Sequence, residues 1–221
     1  MHPALFHYPK AAAFDRVLPK TKIYEHTKPS NALKDLFVKQ VDKIIWQYKL
    51  APETINLPAK PSAPEIQIFN ILLKTPELNE DVLRCIDQAI PLPIFYQLSY
   101  DEHIKIKAAY KRPNEADASK WVIECYFETD WLAENTERLV LPVALDLAGL
   151  YEQLFKPLLP LPARVNEPLK LQVERLGLVR SKQNEYHRLE SRLHKETQFN
   201  RKVELNKQLR ALGSQLAALI H

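Results

Sequence analysis

A row of basic side chains lies in residues 103–113, where residue types alternate with a period of two. Lys105, Lys107 and Lys111 occupy odd positions, and apolar residues and a tyrosine occupy the even positions between them. Such alternation is typical of a β-strand with one apolar and one polar face. Lysines on the polar face could bind phosphate or an acidic partner, or they could simply be the solvated side of a sheet.

The segment 121–128 alternates in the same way, which indicates an antiparallel partner strand for this row. Matching the two apolar faces puts Tyr110 opposite Trp121 and Lys107 opposite Glu124. Cross-strand pairs with Glu124 and Glu128 would then explain the lysines structurally.

The alternative to a solvated face is a contact surface for phosphate or a partner. Lys111 and Arg112 lie at the predicted strand end without an obvious acidic neighbour. Lys20 and Lys22 differ by two residues, so in an extended segment they would share a face with Tyr24. That segment is either an edge strand protected by lysines or part of the basic surface. The predicted contact residues are Lys20, Lys22, Lys107, Tyr110, Lys111 and Arg112, with Lys120 as a further candidate.

Several familiar chemistries are excluded by composition. The 3 glycines, Gly149, Gly177 and Gly213, are isolated, so no dinucleotide-binding, phosphate-loop or hydrolase-elbow motif can be written. His187 and His194 flank Glu190 on one predicted helical face, but no fourth metal ligand is evident. We therefore predict no catalytic residue, no metal and no cofactor.

A metal-dependent nuclease remains the enzymatic alternative. Its site would have to assemble from scattered carboxylates, and Glu124, Glu128 and Asp130 are the ones to substitute in a cleavage assay.

The elements that must position these residues are an α+β domain and a helical arm. A helix is predicted from Ser30 or Asn31 to about Leu50, and the order strand, helix, strand, strand, strand follows it. We expect a mixed or antiparallel sheet of about four or five strands with helices packed on one face. The predicted regions are an α+β domain over 1–160, a proline-rich hinge over 161–168 and a helical, coiled-coil-like arm over 169–221.

The arm carries the basic character of the chain. Residues 168–221 contain 11 lysines and arginines and 5 acidic residues, a net of +6, whereas the chain as a whole is +4. One continuous helix of this length would extend about 75 Å. Gly177 and Gly213 are possible breaks, and an antiparallel hairpin turning between 196 and 200 is another possibility.

The arm also carries leucines at helical spacing, although they do not share one heptad register. We expect them to mediate self-association or docking on a partner, with packing against the first domain as the alternative. The predicted interface residues are Leu189, Leu193, Leu205, Leu209, Leu212, Leu216 and Leu219.

Several segments together resemble a known family. The runs "IIWQYKLAPETINL", "DQAIP" and "AYK" occur in the order found in the bacterial and archaeal family catalogued as domain of unknown function 4391. The resemblance implies a small cytoplasmic protein without an established activity, encoded near helicase and DNA methyltransferase genes.

From these observations we expect a non-catalytic accessory or adaptor subunit of a nucleic-acid-processing or anti-phage defence assembly. Its partner would be a protein such as a helicase or methyltransferase-type subunit, or a second copy of the chain, and DNA or RNA could also be bound. The alternatives are a nuclease and a plain nucleic-acid-binding module. No apolar run approaches the ~20 residues of a membrane span, and a cytoplasmic location is expected.

Overall fold

The computed structural model describes residues 4–114, 116–117 and 121–220. The chain divides into two units, Met1–Leu159 and Pro160–His221. Strands of the first unit are β1 (Phe6–His7), β2 (Ala13–Val17), β3 (Val41–Leu50), β4 (Ile66–Leu73), β5 (Ile94–Tyr100), β6 (His103–Pro113), β7 (Trp121–Glu128), β8 (Leu132–Ala133) and β9 (Leu139–Val140). Its helices are α1 (Lys20–Thr27), α2 (Asn31–Gln40), α3 (Pro52–Ile55), α4 (Glu80–Ala89) and α5 (Leu147–Phe155).

The main sheet has seven strands in the described chain, in the order β2-β3-β4-β5-β6-β7, with β8 beside β6. The strands β4 and β5 are parallel and α4 connects them, whereas the other neighbours are antiparallel. The mixed, mostly antiparallel α+β fold is thus confirmed, including the order strand, helix, strand, strand, strand. β1 and β9 form a separate parallel pair.

The predicted helix over 30–50 is wrong in its second half. Ser30 does begin the helix, because its hydroxyl accepts a hydrogen bond from the Leu33 amide at 3.3 Å. The helix ends at Gln40, and Val41–Leu50 is a strand paired with β4. Branched and aromatic residues fill this strand, and they favour a pleated surface next to another strand. Together with β2 and β8, strand β3 raises the number of strands in the main sheet above the four or five expected.

Helices cover both faces of the sheet, which the expectation of one helical layer did not include. On one face the core joins Ile23, Phe37 and Ile86 of the helices to Phe69 and Tyr96 of the strands. On the other, the ring of Phe155 in α5 contacts Phe95, Tyr110 and Phe127, with centroids 5.7–6.1 Å apart. Both faces of β6 are therefore shielded, including the face with the lysine row.

The predicted register of β6 and β7 is wrong by several residues. Lys107 pairs with Glu128, and Pro113 rather than Tyr110 lies opposite Trp121. An irregularity between Ala109 and Lys111 leaves two residues of β7 facing Tyr110. Matching apolar faces could not reveal the register, since both faces of these strands are covered and a bulge adds a residue.

The second unit is an antiparallel helical hairpin. Helix α6 spans Leu169–Lys195, helix α7 spans Phe199–Ile220, and residues 196–198 connect them. The break is thus at the hairpin position and not at Gly177 or Gly213, which lie inside the helices. At about 1.5 Å per residue, α6 is about 40 Å long. Among the described residues, no helix combines the length and the apolar character that crossing a membrane requires.

Candidate partner and nucleic-acid interfaces

Lys20 and Lys22 lie in helix α1, so the predicted edge strand is wrong. The Lys20 ammonium donates to the carbonyl oxygens of Phe37 and Val41, at 3.0 and 2.6 Å. Phe37 lies in the last turn of α2 and Val41 is its C-terminal cap, so Lys20 places positive charge at the end of α2, where the helix dipole favours it. Lys22 forms an exposed ion pair with Glu25 at 3.0 Å. Lys20 is therefore half-buried with its ammonium on backbone carbonyls, whereas Lys22 is exposed.

Lys107 lies between β7 and α4. Its ammonium is 2.8 Å from the Glu128 carboxylate and 3.8 Å from that of Glu80. It also lies 5.7 Å from the centre of the Tyr126 ring. Lys105 shares the same Glu128 carboxylate at 3.0 Å. The pairing with Glu128 agrees with the structural interpretation of the lysine row.

Lys111 is fully buried, so the expectation that it faces solvent at a strand end is wrong. Its ammonium donates to Asp87 at 2.7 Å and to the carbonyl oxygens of Ile90 and Leu92 at 3.1 and 2.6 Å. All three donors of the ammonium are thus used. The carbonyls follow the end of α4, so Lys111 ties that end of the helix to β6.

Asp87 is the centre of this buried polar cluster. Besides Lys111, it accepts hydrogen bonds from the hydroxyls of Tyr96, at 2.8 Å, and Tyr126. Burial raises the pKa of both tyrosines, and the negative charge of Asp87 raises it further. The tyrosines therefore stay protonated donors at neutral pH. Burial lowers the pKa of Lys111 and Asp87 opposes that effect.

Tyr110 and Arg112 complete the predicted contact residues on β6. Tyr110 is buried against Phe155. The Arg112 guanidinium donates to the Glu124 carboxylate at 2.8 Å. Lys120 lies outside the described residues. The structure therefore gives the predicted set mainly internal contacts, in which the cations bind carbonyls and carboxylates of the same chain.

The carboxylates of the nuclease alternative lie beside cations. Glu124 contacts Arg112, and Glu128 contacts two lysines. In the part of the chain that the structure describes, no three histidine, cysteine, aspartate or glutamate side chains lie together as a possible metal site. His187 and Glu190 are 3.5 Å apart on the exposed surface of α6.

The leucines of the predicted arm interface pack largely within the hairpin. Leu205, Leu209 and Leu212 of α7 are buried. The remaining four are half-buried, namely Leu189, Leu193, Leu216 and Leu219. The spacing of three and four residues therefore supports contact between α6 and α7 of one chain. Their contribution to an interface with another chain stays a prediction.

Two arginines form hydrogen bonds at the open end of the hairpin, opposite its turn. Arg175 donates to both oxygens of Glu167, at 2.7 and 2.8 Å, and to the Leu219 carbonyl at 3.0 Å. Arg164 donates to the carbonyls of Ala218 and Leu219. These hydrogen bonds satisfy carbonyls at the end of α7, where positive charge is favoured by the helix dipole.

The most exposed aliphatic side chains of the first unit lie in residues 139–145, here called the aliphatic segment. Val140, Val143 and Leu145 are 84%, 92% and 91% exposed. The segment has no charged residue, whereas Arg138 and Asp146 flank it. It borders a groove of about 510 Å³, lined in part by Pro9, Ile55, Leu57, Leu141, Pro142 and Leu150.

Residues 6–216 match the model of the family described as Domain of unknown function (DUF4391). The chain belongs to this family. A search of curated proteins and a search of solved structures found no match.

The DUF4391 match extends over both units of the chain. It begins at β1 and ends at Leu216 in α7, so the hairpin is part of the family's domain. The exposed features of the hairpin and the aliphatic segment are thus both features of a DUF4391 protein.

Sequence reasoning missed Asp87, the acceptor at the centre of the buried cluster. A signal was present, because Asp87 follows Ile86 and lies four residues after Leu83, both on the apolar face of α4. A carboxylate at such a position needs a buried partner. The aliphatic segment was missed as well, although seven consecutive uncharged residues between Arg138 and Asp146 mark it.

Proposed function

We propose that this DUF4391 protein is a non-catalytic accessory subunit of a bacterial assembly that acts on nucleic acid, of the restriction or anti-phage defence type. Its role is to dock on a different protein subunit of that assembly. The observation that carries the proposal is the near-complete exposure of Val143 and Leu145 in the aliphatic segment.

The aliphatic segment has the composition of an interface centre. Folded monomers seldom leave contiguous apolar side chains in water, and larger apolar patches with polar rims mark binding sites. Charged residues are depleted at the centre of interfaces and remain at the rim. Residues 139–145 follow this arrangement, with Arg138 and Asp146 at the two ends. The occupant is therefore a protein with an apolar surface of its own.

This assignment moves the docking surface from the arm leucines to the first unit. Leu205, Leu209 and Leu212 are buried in the hairpin and present little surface to a partner. The hairpin instead contributes positive charge, since residues 168–221 have a net charge of +6. An apolar surface for protein and a basic surface for nucleic acid, in separate units, suit an accessory subunit.

The test is a comparison of captured partners in the native cell. A tagged chain is cross-linked, purified and analysed by quantitative mass spectrometry, beside Val143→Asp/Leu145→Asp. The matched control is Val17→Asp/Val165→Asp, at exposed valines outside the segment. We expect an enzyme that acts on nucleic acid to be captured by the wild type and the control. The Val143/Leu145 variant should lose most of it.

Three outcomes would contradict the proposal. The first is an unchanged capture of the partner by the Val143/Leu145 variant. The second is a partner that has no activity on nucleic acid. The third is a purified chain that dimerises in light-scattering measurements through this segment, because the occupant would then be a second copy.

A further inference from the structure

Positive charge is concentrated at the turn of the C-terminal hairpin. Residues 191–203 contain Arg192, Lys195, Arg201 and Lys202 and a single acidic residue, Glu196. All four cations are exposed, and within the described residues none of them lies in an ion pair. We call residues 192–203 the hairpin tip.

The one acidic residue of the hairpin tip forms hydrogen bonds with backbone amides. Glu196 accepts hydrogen bonds from the amides of Thr197 and Gln198, at 2.9 Å each. These hydrogen bonds lower the pKa of Glu196. The carboxylate thus caps the start of α7, and the nearby charges of Arg201 and Lys202 lower its pKa further. One carboxylate offsets only part of the charge of the four cations.

Helix electrostatics do not account for Arg201 and Lys202. Cations are favoured in the last turn of a helix and disfavoured in the first. Arg192 and Lys195 lie in the last turn of α6, where they stabilise it. Arg201 and Lys202 lie near the start of α7, whose first turn has no acidic residue. A residue type that opposes local stability points to a function.

An aromatic ring is exposed among these cations. Phe199 is 77% exposed at the first position of α7, and Val203, one turn later, is 53% exposed. Aromatic rings next to lysine and arginine are the combination by which proteins bind unpaired bases and their phosphates.

We propose that the hairpin tip binds single-stranded nucleic acid, with Phe199 stacking on an unpaired base and Arg201, Lys202, Arg192 and Lys195 contacting the phosphates. The inference deepens the proposed function by naming the nucleic acid that the accessory subunit contacts. It does not depend on the aliphatic segment.

Further cations follow the hairpin tip along both helices, beyond Glu190 on α6 and Glu204 on α7. Arg188 precedes Arg192 by one turn of α6, and Lys207 and Arg210 follow on α7. All three are exposed. A flexible phosphate backbone can follow such a row, whereas a flat anionic membrane would meet only the hairpin tip. The distribution therefore favours a nucleic-acid strand over a lipid surface.

The test measures binding of the full chain to a fluorescent oligonucleotide by anisotropy, over a range of salt concentrations. Arg201→Gln/Lys202→Gln is compared with Lys39→Gln/Lys43→Gln, which removes the same charge at exposed positions of the first unit. We expect the tip variant to bind at least about tenfold more weakly and its salt slope to fall by about 1.4. Phe199→Ala should weaken binding at least about fivefold with an unchanged salt slope. The control should bind like the wild type.

Direct cross-linking keeps the proposal testable if a variant folds poorly. Ultraviolet cross-linking of the wild-type chain to the oligonucleotide, followed by mass spectrometry, should label residues within 192–203. Absence of binding at low salt, or cross-links confined to other segments, would overturn the proposal. The proposal would also be overturned if the chain bound duplex, polyphosphate or anionic vesicles as tightly as the single strand and Phe199→Ala left that binding unchanged. Val143→Asp/Leu145→Asp should leave oligonucleotide binding intact, so failure of the docking function and failure of this inference are separate results.

Discussion

The ammonium of Lys111 lies 2.7 Å from the carboxylate of Asp87, and neither side chain has any exposed surface. Two charges in a protein interior are stable only when each is neutralised and its other hydrogen-bonding positions are filled. Tyr96 and Tyr126 fill those of Asp87, and two backbone carbonyls fill those of Lys111. The cluster therefore joins α4 to three strands of the sheet.

Removing one partner of this pair should destabilise the first unit strongly. Asp87→Ala leaves a buried ammonium without a counter-charge and two hydroxyls without an acceptor. We expect a loss of about 3–5 kcal/mol in the free energy of unfolding, measured by urea denaturation. Lys22→Ala, which breaks the exposed pair with Glu25, should cost less than about 1 kcal/mol. A small loss for Asp87→Ala would show that the pair is not buried in solution.

The strands and helix around this cluster can be predicted from the sequence, but the cluster itself cannot. The alternation of residues 103–111 correctly predicts a strand, and Ser30 correctly predicts the start of α2, where its side chain accepts from the Leu33 amide at 3.3 Å. Periodicity reports which residues share a face, but it does not report what covers that face. The position of Lys111 in the alternation therefore indicates a solvent-facing side chain, whereas α4 covers it in the structure.

The hairpin illustrates the same limit for the predicted interface. Leucine spacing predicts correctly that residues 205–219 have an apolar stripe. The spacing does not distinguish a second helix of the same chain from a helix of another chain, because both offer the same ridges. The turn at 196–198 has neither glycine nor proline, since the Glu196 side chain satisfies the amides there.

Truncation of a buried hairpin leucine should loosen α7 selectively. Leu209 is 8% exposed, and Leu209→Ala removes apolar contacts between α6 and α7. We expect a loss of about 2–5 kcal/mol in hairpin stability, measured by hydrogen exchange of residues 199–220. Leu171→Ala serves as the control, because Leu171 is 52% exposed and its truncation should cost less than about 1 kcal/mol. Equal exchange in the two variants would contradict the assigned packing.

The hairpin should also weaken in acid through Glu167. Hydrogen bonds from Arg175 lower the pKa of Glu167 from its usual 4.5 to about 2. Because the folded pKa lies below the unfolded one, this stabilisation is complete above about pH 5 and is lost as the pH falls towards 2. The protection factors of the α7 amides, which are corrected for the intrinsic pH dependence of hydrogen exchange, should therefore fall more steeply in the wild type than in Glu167→Gln across this range. Parallel pH profiles for the two proteins would contradict the paired state of Glu167.

The buried tyrosines allow the packing on both faces of the main sheet to be tested in alkaline solution. Burial raises the pKa of Tyr96, Tyr126 and Tyr151, and the Asp87 charge raises all three further. A tyrosinate formed there would be desolvated beside a carboxylate, so these phenols should ionise only when the chain unfolds. In a spectrophotometric titration at 295 nm, part of the absorbance of the 9 tyrosines should appear in one step together with the loss of circular dichroism. In Asp87→Asn, if it folds, the step for Tyr96 and Tyr126 should move to lower pH. Full ionisation of all tyrosines while the circular dichroism is native would refute the burial of this cluster.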